Sequence, residues 1–195
     1  MRHSISDTLQ LIADRRSIPP EKFSGRRVHK EIVEQVLHFA RWAPNHGLTQ
    51  PWRFRVFMDD AAKRLMVDLS DAYRAHAGAS AIEAKVDKIR NRGERCNAIV
   101  ALGLDHDEEG RFPLWEDQAA MAAAVQNMHL ICTAHGIGGY WSTPGFLSNS
   151  AARQAIGYAD DILSMGLFYI GYPEGEWPRR GHRKPLEYVA DWITD

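Results

Sequence analysis

The sequence predicts a mixed α+β fold, and three observations carry that prediction. Strand-like and helix-like segments both occur, but they do not alternate regularly enough for repeated strand–helix–strand units. The chain has 195 residues, 45% of them hydrophobic, enough to bury a core in a single domain spanning residues 1–195. Finally, Gln118 to Ala152 contains no Asp, Glu, Lys or Arg. A helix within such a stretch has to be covered on nearly every side.

Ser6 to Arg16 reads as the first helix, with Leu9, Ile12 and Ala13 on one face; it stops before Pro19-Pro20. A second runs from His29 to Trp42, has Ile32, Val36, Phe39 and Ala40 on its apolar side, and is ended by Pro44. Trp52 to Met58 alternates as a strand, with Phe54, Val56 and Met58 facing one way. Ala61–Ala77 and Ala81–Arg92 carry helical patterns, and Asn97–Leu104 (NAIVALGL) is an apolar run suited to a central strand. The charge-free helix follows, from Trp115 to His135. Glu116 and Asp117 fall in its first turn, where they complement the helix dipole. Met121, Val125, Met128 and Cys132 form a seam along it, and Gly136 is a natural stop. This long helix is expected to be buried, with a subunit interface supplying part of its cover on the face that carries Met128. Gly139–Ser142 and Leu163–Tyr172 read as two further strands, and Leu186, Val189, Ala190 and Ile193 recur at helical spacing in the tail.

Composition removes several function classes. Lys+Arg is 24 against Asp+Glu 25, a formal net charge of −1, which argues against a dedicated nucleic-acid binder or a polybasic membrane-surface protein. The only cysteines are Cys96 and Cys132, without a CxxC pair, so a reducing, cytoplasmic setting is expected. The first residues lack the apolar core of a signal peptide. The longest purely apolar run in the charge-free stretch, Ala119–Val125, is far short of the roughly 20 residues of a membrane span. Nucleotide-loop, zincin and serine-elbow motifs are absent. Gly136-Ile137-Gly138-Gly139 precedes a strand, whereas a dinucleotide fingerprint follows one. Asp105, Asp107, Glu109, Gly110 and Glu116 match positions of a calcium loop, but the fifth position is Glu and the preceding segment is a strand; the acidic turn is the simpler reading. His129 and His135 lie on different helix faces, and no residue group shows metal-ligand spacing. No metal is expected.

Two basic groups remain. Arg15-Arg16-Ser17 closes the first helix with two charged donors and a hydroxyl, and Arg179–Lys184 is a local basic cluster. Adjacent helical side chains point about 100° apart, so one arginine can meet an anion while the other makes a structural contact.

In order along the chain come Arg15-Arg16-Ser17, Ala43-Pro44-Asn45-His46, Gln50-Pro51-Trp52 opening a strand, the charge-free helix running into Gly136-Ile137-Gly138-Gly139, then Trp141-Ser142, GLFYIGYP from Gly166, and Arg183-Lys184-Pro185. This series resembles the FMN-dependent nitroreductase family, in particular its short-chain branch, over nearly the whole chain. The resemblance implies a nitroreductase-like α+β fold with a mainly antiparallel sheet, and a homodimer holding FMN at the subunit interface. It implies reduction of the flavin by NADH or NADPH and transfer to a small electron acceptor such as a nitroaromatic or quinone. A flavin carrier or sensor without turnover is the alternative. By position, Arg15, Arg16 and Ser17 would hold the FMN phosphate and ribityl chain, with Arg183 completing the phosphate site. Trp42 and His46 would meet the flavin, across the dimer, and Trp141, Ser142 and Thr143 form a second flavin-binding stretch. The flavin performs the hydride chemistry, so no protein acid, base or nucleophile is required. Two departures matter. Relatives often carry a basic residue where this chain has Pro19, so the cation beside the flavin has to come from elsewhere, Lys22 or a backbone amide being candidates. Gly47-Leu48-Thr49 before Gln50 lacks the Asn common in larger members, with His46 a candidate substitute for that flavin contact.

Overall fold

The computed structural model describes residues 3–106 and 111–194. Four strands, β1 (Trp52–Met58), β2 (Ala98–Asp105), β3 (Gly138–Ser142) and β4 (Ile162–Gly171), form one sheet. All neighbours are antiparallel, in the order β1-β2-β4-β3. The helices are α1 (Ile5–Asp14), α2 (Lys30–Ala40), α3 (Asp60–Ala77), α4 (Glu83–Arg95), α5 (Leu114–Ala134) and α6 (Ser150–Ile156).

Helices cover both faces of the sheet. Leu65, Met66 and Leu69 of α3 and Val86 and Ile89 of α4 pack with Ile99, Leu167 and Tyr169 on one side. On the other, Val33 and Val36 of α2 and Met121, Val125 and Met128 of α5 pack with Val100, Leu102, Phe168 and Ile170. Successive residues of β4 therefore serve opposite cores, as the period of two in a strand requires. Burial on both faces explains why β2 reads as an unbroken apolar run instead of an alternating one.

The expected α+β architecture and mainly antiparallel sheet are observed. Two local expectations are corrected, and one element is added. The Met121, Val125, Met128 and Cys132 seam is fully buried within the chain's own core, so it is not the face that a second subunit would cover. The exposed face of α5 is instead Trp115, Gln118, Ala119, Ala122 and Gln126. The tail forms only one 3-10 turn, Leu186–Tyr188, despite its helical spacing. An isolated short helix is marginal in water, and this segment has no surface of its own chain against which to bury the pattern: Val189 is 75% and Ile193 92% exposed. Helix α6, capped by Asn149 at its start and by Gly157 (φ 80°) at its end, is an additional element.

Candidate functional site at the edge of β3

The chain leaving α1 lies along the free edge of β3. Ser17 bridges Gly139 in parallel, and the Ile18 N–H donates to the Gly139 carbonyl at 3.0 Å. Arg15 and Ser17 are thereby fixed beside the start of the strand, and the Arg15 Nη1 donates to Ser17 Oγ at 3.3 Å. Among the described residues no carboxylate pairs with Arg15. Its pKa is lowered by burial first, then by the charges of Arg16 and Arg183. That places the tail's Arg183 in the same field, although it is more than 160 residues away in sequence.

The tail reaches this position because α1 anchors it. The Trp177 indole donates to the Asp14 carbonyl at 2.9 Å, and Arg180 pairs with the Asp14 carboxylate at 2.6 Å. Arg16 completes the anchor: its Nε donates to the Arg179 carbonyl at 2.8 Å and its Nη1 to the carbonyls of Ala13 and Arg15. Its Nη2 is buried without a protein acceptor among the described residues. Arg15 and Arg16 thus divide the work, as adjacent residues at a helix end must.

Behind Arg15 stands His129 of α5, which sequence reasoning had not placed in the site. It is buried, its ring meets Phe168 edge-on at 4.8 Å, and its Nδ1 has no partner among the described residues. Burial, aided by the Arg15 charge, lowers its pKa to about 4, so the ring is neutral near pH 7. A Cβ at Gly139 would lie 3.0 Å from that Nδ1 and 2.6 Å from the Phe168 ring. Glycine is what allows β3 to pass so close.

At the far end of β3 the side chains diverge. The Trp141 indole donates to the Met165 carbonyl at 2.8 Å, and its partly buried ring packs against the α5-side core. Ser142 turns to the opposite face, where it joins Leu69, Phe146 and Tyr169 around a cavity of about 280 Å³. Thr143 is exposed just beyond the strand. Gly166 of β4 has φ +104°, and a Cβ there would approach the Ser142 carbonyl oxygen to 2.4 Å, so glycine is required for this close pass as well.

Trp42 and His46 do not join this group within one chain. Trp42 is 74% exposed at the end of α2. His46 Nδ1 contacts Glu116 Oε2 at 2.5 Å, and its ring lies 4.0 Å from that of Phe112. Glu116 and His129 are separated by thirteen residues of α5, about 20 Å of helix rise. His46 and the Arg15 group therefore lie toward opposite ends of that helix, whereas the end of α2 that leads to Trp42 is held at mid-helix, where Asn127 donates to the Phe39 carbonyl. The acidic turn is engaged at its described ends, Asp105 with Arg53 and Glu116 with His46; Asp107, Glu109 and Gly110 lie outside the described residues. Among the described residues no group of side chains could hold a metal ion, and no helix is long and apolar enough to cross a membrane.

The fold, a four-stranded antiparallel sheet with helices on both faces, is of the nitroreductase-like α+β class, as its structural neighbours show. A crystal structure of a nitroreductase-like family protein from Bacillus cereus superposes with a TM-score of 0.79 at 25% identity, covering 99% of this chain and 97% of that one. The fold is also that of the FMN-dependent nitroreductase NfnB from Mycobacterium smegmatis, solved with NADPH: TM-score 0.73, 18% identity, 97% of this chain and 99% of that one. The profile of the Nitroreductase family matches residues 12–172, and the chain belongs to that family. Among its relatives is the Bacillus subtilis (strain 168) protein named "Putative NAD(P)H nitroreductase YfhC", 28% identical over 184 residues, 94% of this chain and 93% of that protein.

Proposed function

We propose that this chain is an FMN-dependent NAD(P)H oxidoreductase. It works as a homodimer and reduces nitroaromatics, quinones or similar small electrophiles by ping-pong hydride transfer, the whole chain serving as one FMN-binding domain. When bound, the flavin supplies the hydride chemistry, accepting from NAD(P)H and donating to the second substrate.

One observation carries this reading: Arg15 and Ser17 are fixed beside β3 within the field of Arg183, and among the described residues no carboxylate pairs with Arg15 or Arg183. Like charges gathered without a counter-ion are unfavourable until an anion arrives, and a phosphate accepts several charge-assisted hydrogen bonds, each worth about 1.5–3 kcal/mol. The residues present fit the group. Arg16 Nη2 and His129 Nδ1 are buried polar atoms left without protein partners, and a ligand beside them would supply what the protein does not. His129, being neutral, adds no further positive charge. Along β3, Ser142 and Thr143 would border the flavin ring about 10 Å from Gly139, three residues on. Family membership and the FMN dependence of the mycobacterial neighbour support the same assignment.

What the protomer leaves uncovered supports the dimer. No residue of α1 is buried, and Ile5, Leu9 and Ile12 are all more than half exposed. Trp42, Trp115 and the tail's Trp192 and Ile193 are likewise exposed, by 65% or more each, and large exposed apolar side chains favour a covering partner where they adjoin. A second copy that covers them would bring its Trp42 and His46 to the Arg15 site, uniting the two groups that one chain keeps apart.

The test is the visible spectrum of the freshly purified protein before and after anaerobic NADPH, then NADH. An oxidised-flavin band that bleaches is the expected result. A band resistant to both reductants would favour the carrier reading, and a colourless protein that FMN cannot reconstitute would overturn the assignment. The double substitution Arg15→Ala, Arg183→Ala is expected to remain folded and to lower FMN affinity at least a hundredfold. Unchanged FMN affinity in the folded double variant would refute the phosphate site.

A further inference from the structure

Pro19 carries neither a charge nor an N–H, and Lys22 is exposed at the end of the 3-10 turn Pro20–Lys22. The same turn directs Glu21 against α4. Arg92 Nε donates to Glu21 Oε1 at 3.0 Å, and Lys88 Nζ stands 3.5 Å from the same oxygen. Two cations therefore share one carboxylate, leaving one positive charge uncompensated by that carboxylate.

Arg92 is also the more confined of the two. Its side chain is 13% exposed, against 56% for Lys88. Its guanidinium carbon lies 5.3 Å from the ring centre of Tyr169 and 5.7 Å from that of Tyr140. Tyr140 follows Gly139 and precedes Trp141 and Ser142, so Arg92 lies alongside β3, between the Arg15–Ser17 end and the Ser142 end. Arg92 and Lys88 line both the 280 Å³ cavity that reaches Ser142 and Pro144 and an adjoining open cleft of about 650 Å³ bordered by Glu21. A confined guanidinium, pre-oriented by a carboxylate and two tyrosine rings, holds its charge in place at little further entropic cost.

We propose that Arg92, oriented by Glu21 and supported by Lys88, is the cation that faces the flavin ring and favours its reduced, negatively charged form, the part Pro19 cannot play. Glu21 is a positioning residue in this arrangement, and it also moderates the charge. The inference rests on the FMN assignment above and deepens it.

The experiment is a reductive titration of FMN-loaded wild type, Arg92→Gln, Arg92→Lys and Glu21→Gln against a dye of known potential, with the dissociation constant of oxidised FMN measured for each. Arg92→Gln is expected to weaken reduced flavin at least tenfold more than oxidised flavin, which lowers the two-electron potential by about 30 mV. Arg92→Lys should recover part of that loss. Glu21→Gln removes a neutralising carboxylate and should move the potential upward. A folded, FMN-loaded Arg92→Gln protein with the wild-type potential overturns the proposal. If Arg92→Gln does not fold, Glu21→Gln decides: the amide oxygen still accepts the Arg92 Nε hydrogen bond, so the orientation is kept while the negative charge is lost, and an unchanged or lowered potential overturns the proposal. A wild-type protein that binds no FMN defeats the flavin assignment itself, and this inference with it.

Discussion

His129 shows how a single buried side chain can couple the site to the stability of the fold. Its pKa is lowered to about 4 by burial, with a smaller contribution from Arg15, whereas the unfolded chain has an ordinary imidazole near 6.5. Between those values the unfolded state takes up a proton that the folded state refuses. The stability associated with neutral His129 is therefore fully present above about pH 6.5 and is lost as pH falls toward 4, by about 3 kcal/mol in total. Urea denaturation from pH 7 to pH 4.5 should show this loss, and the decline should be shallower in His129→Gln. Parallel pH profiles would show that His129 is not the responsible group. None of this was legible in the sequence, where His129 looked like one histidine among nine. Arg15 and Ser17 were legible because they form a short contiguous motif. Arg92 was not, because its significance comes from Glu21, Tyr140 and Tyr169, three positions brought together only by the fold.

At the level of elements, β3 is the part on which the site depends, and its course is set by neighbouring glycines. Gly166→Ala would combine an unfavourable positive φ with a clash against the Ser142 carbonyl oxygen. The expected cost exceeds about 2 kcal/mol, and FMN affinity should fall because the end of β3 must shift. A thermal melt displaced by less than a degree would contradict the described path of the strand. The strands and the long helices were readable from their periodicities. Trp52–Met58 has the expected bounds, and the α5 seam repeats as the pattern requires. What periodicity could not convey was the partner of each face. Apolar spacing on α5 states that Met128 is covered, but not whether by its own sheet or by another subunit. The tail poses the converse problem, since Leu186, Val189 and Ile193 have the spacing of a helix without a surface on which to form one.

The whole molecule is described by what it leaves exposed. Leu9 is 60% exposed in the protomer, so Leu9→Glu should have little effect on protomer folding. If α1 is covered in a dimer, the same change forfeits about 2 kcal/mol or more of apolar burial and adds a desolvated charge. Its dimer dissociation constant should rise more than tenfold, and FMN should be lost in parallel. Sedimentation velocity over a concentration series checks this: a variant as dimeric as wild type would remove α1 from the interface. Spacing alone showed that Leu9 and Ile12 share a face of α1, as it showed the seam of α5, but not that the protomer buries the second and leaves the first bare.

The 20 Å between the Arg15 group and the His46 group has a genetic meaning on the proposed dimer. One chain bearing Arg15→Ala and Arg183→Ala, and another bearing Trp42→Ala and His46→Ala, each form defective homodimers. In a mixed dimer, one site inherits both lesions and the other inherits neither. Co-expression of the two inactive alleles should then restore about a quarter of the wild-type sites, half of the dimers being mixed with one intact site in each. Such complementation between two alleles of one gene would be a phenotype of the split site, readable in a cell without purifying the protein.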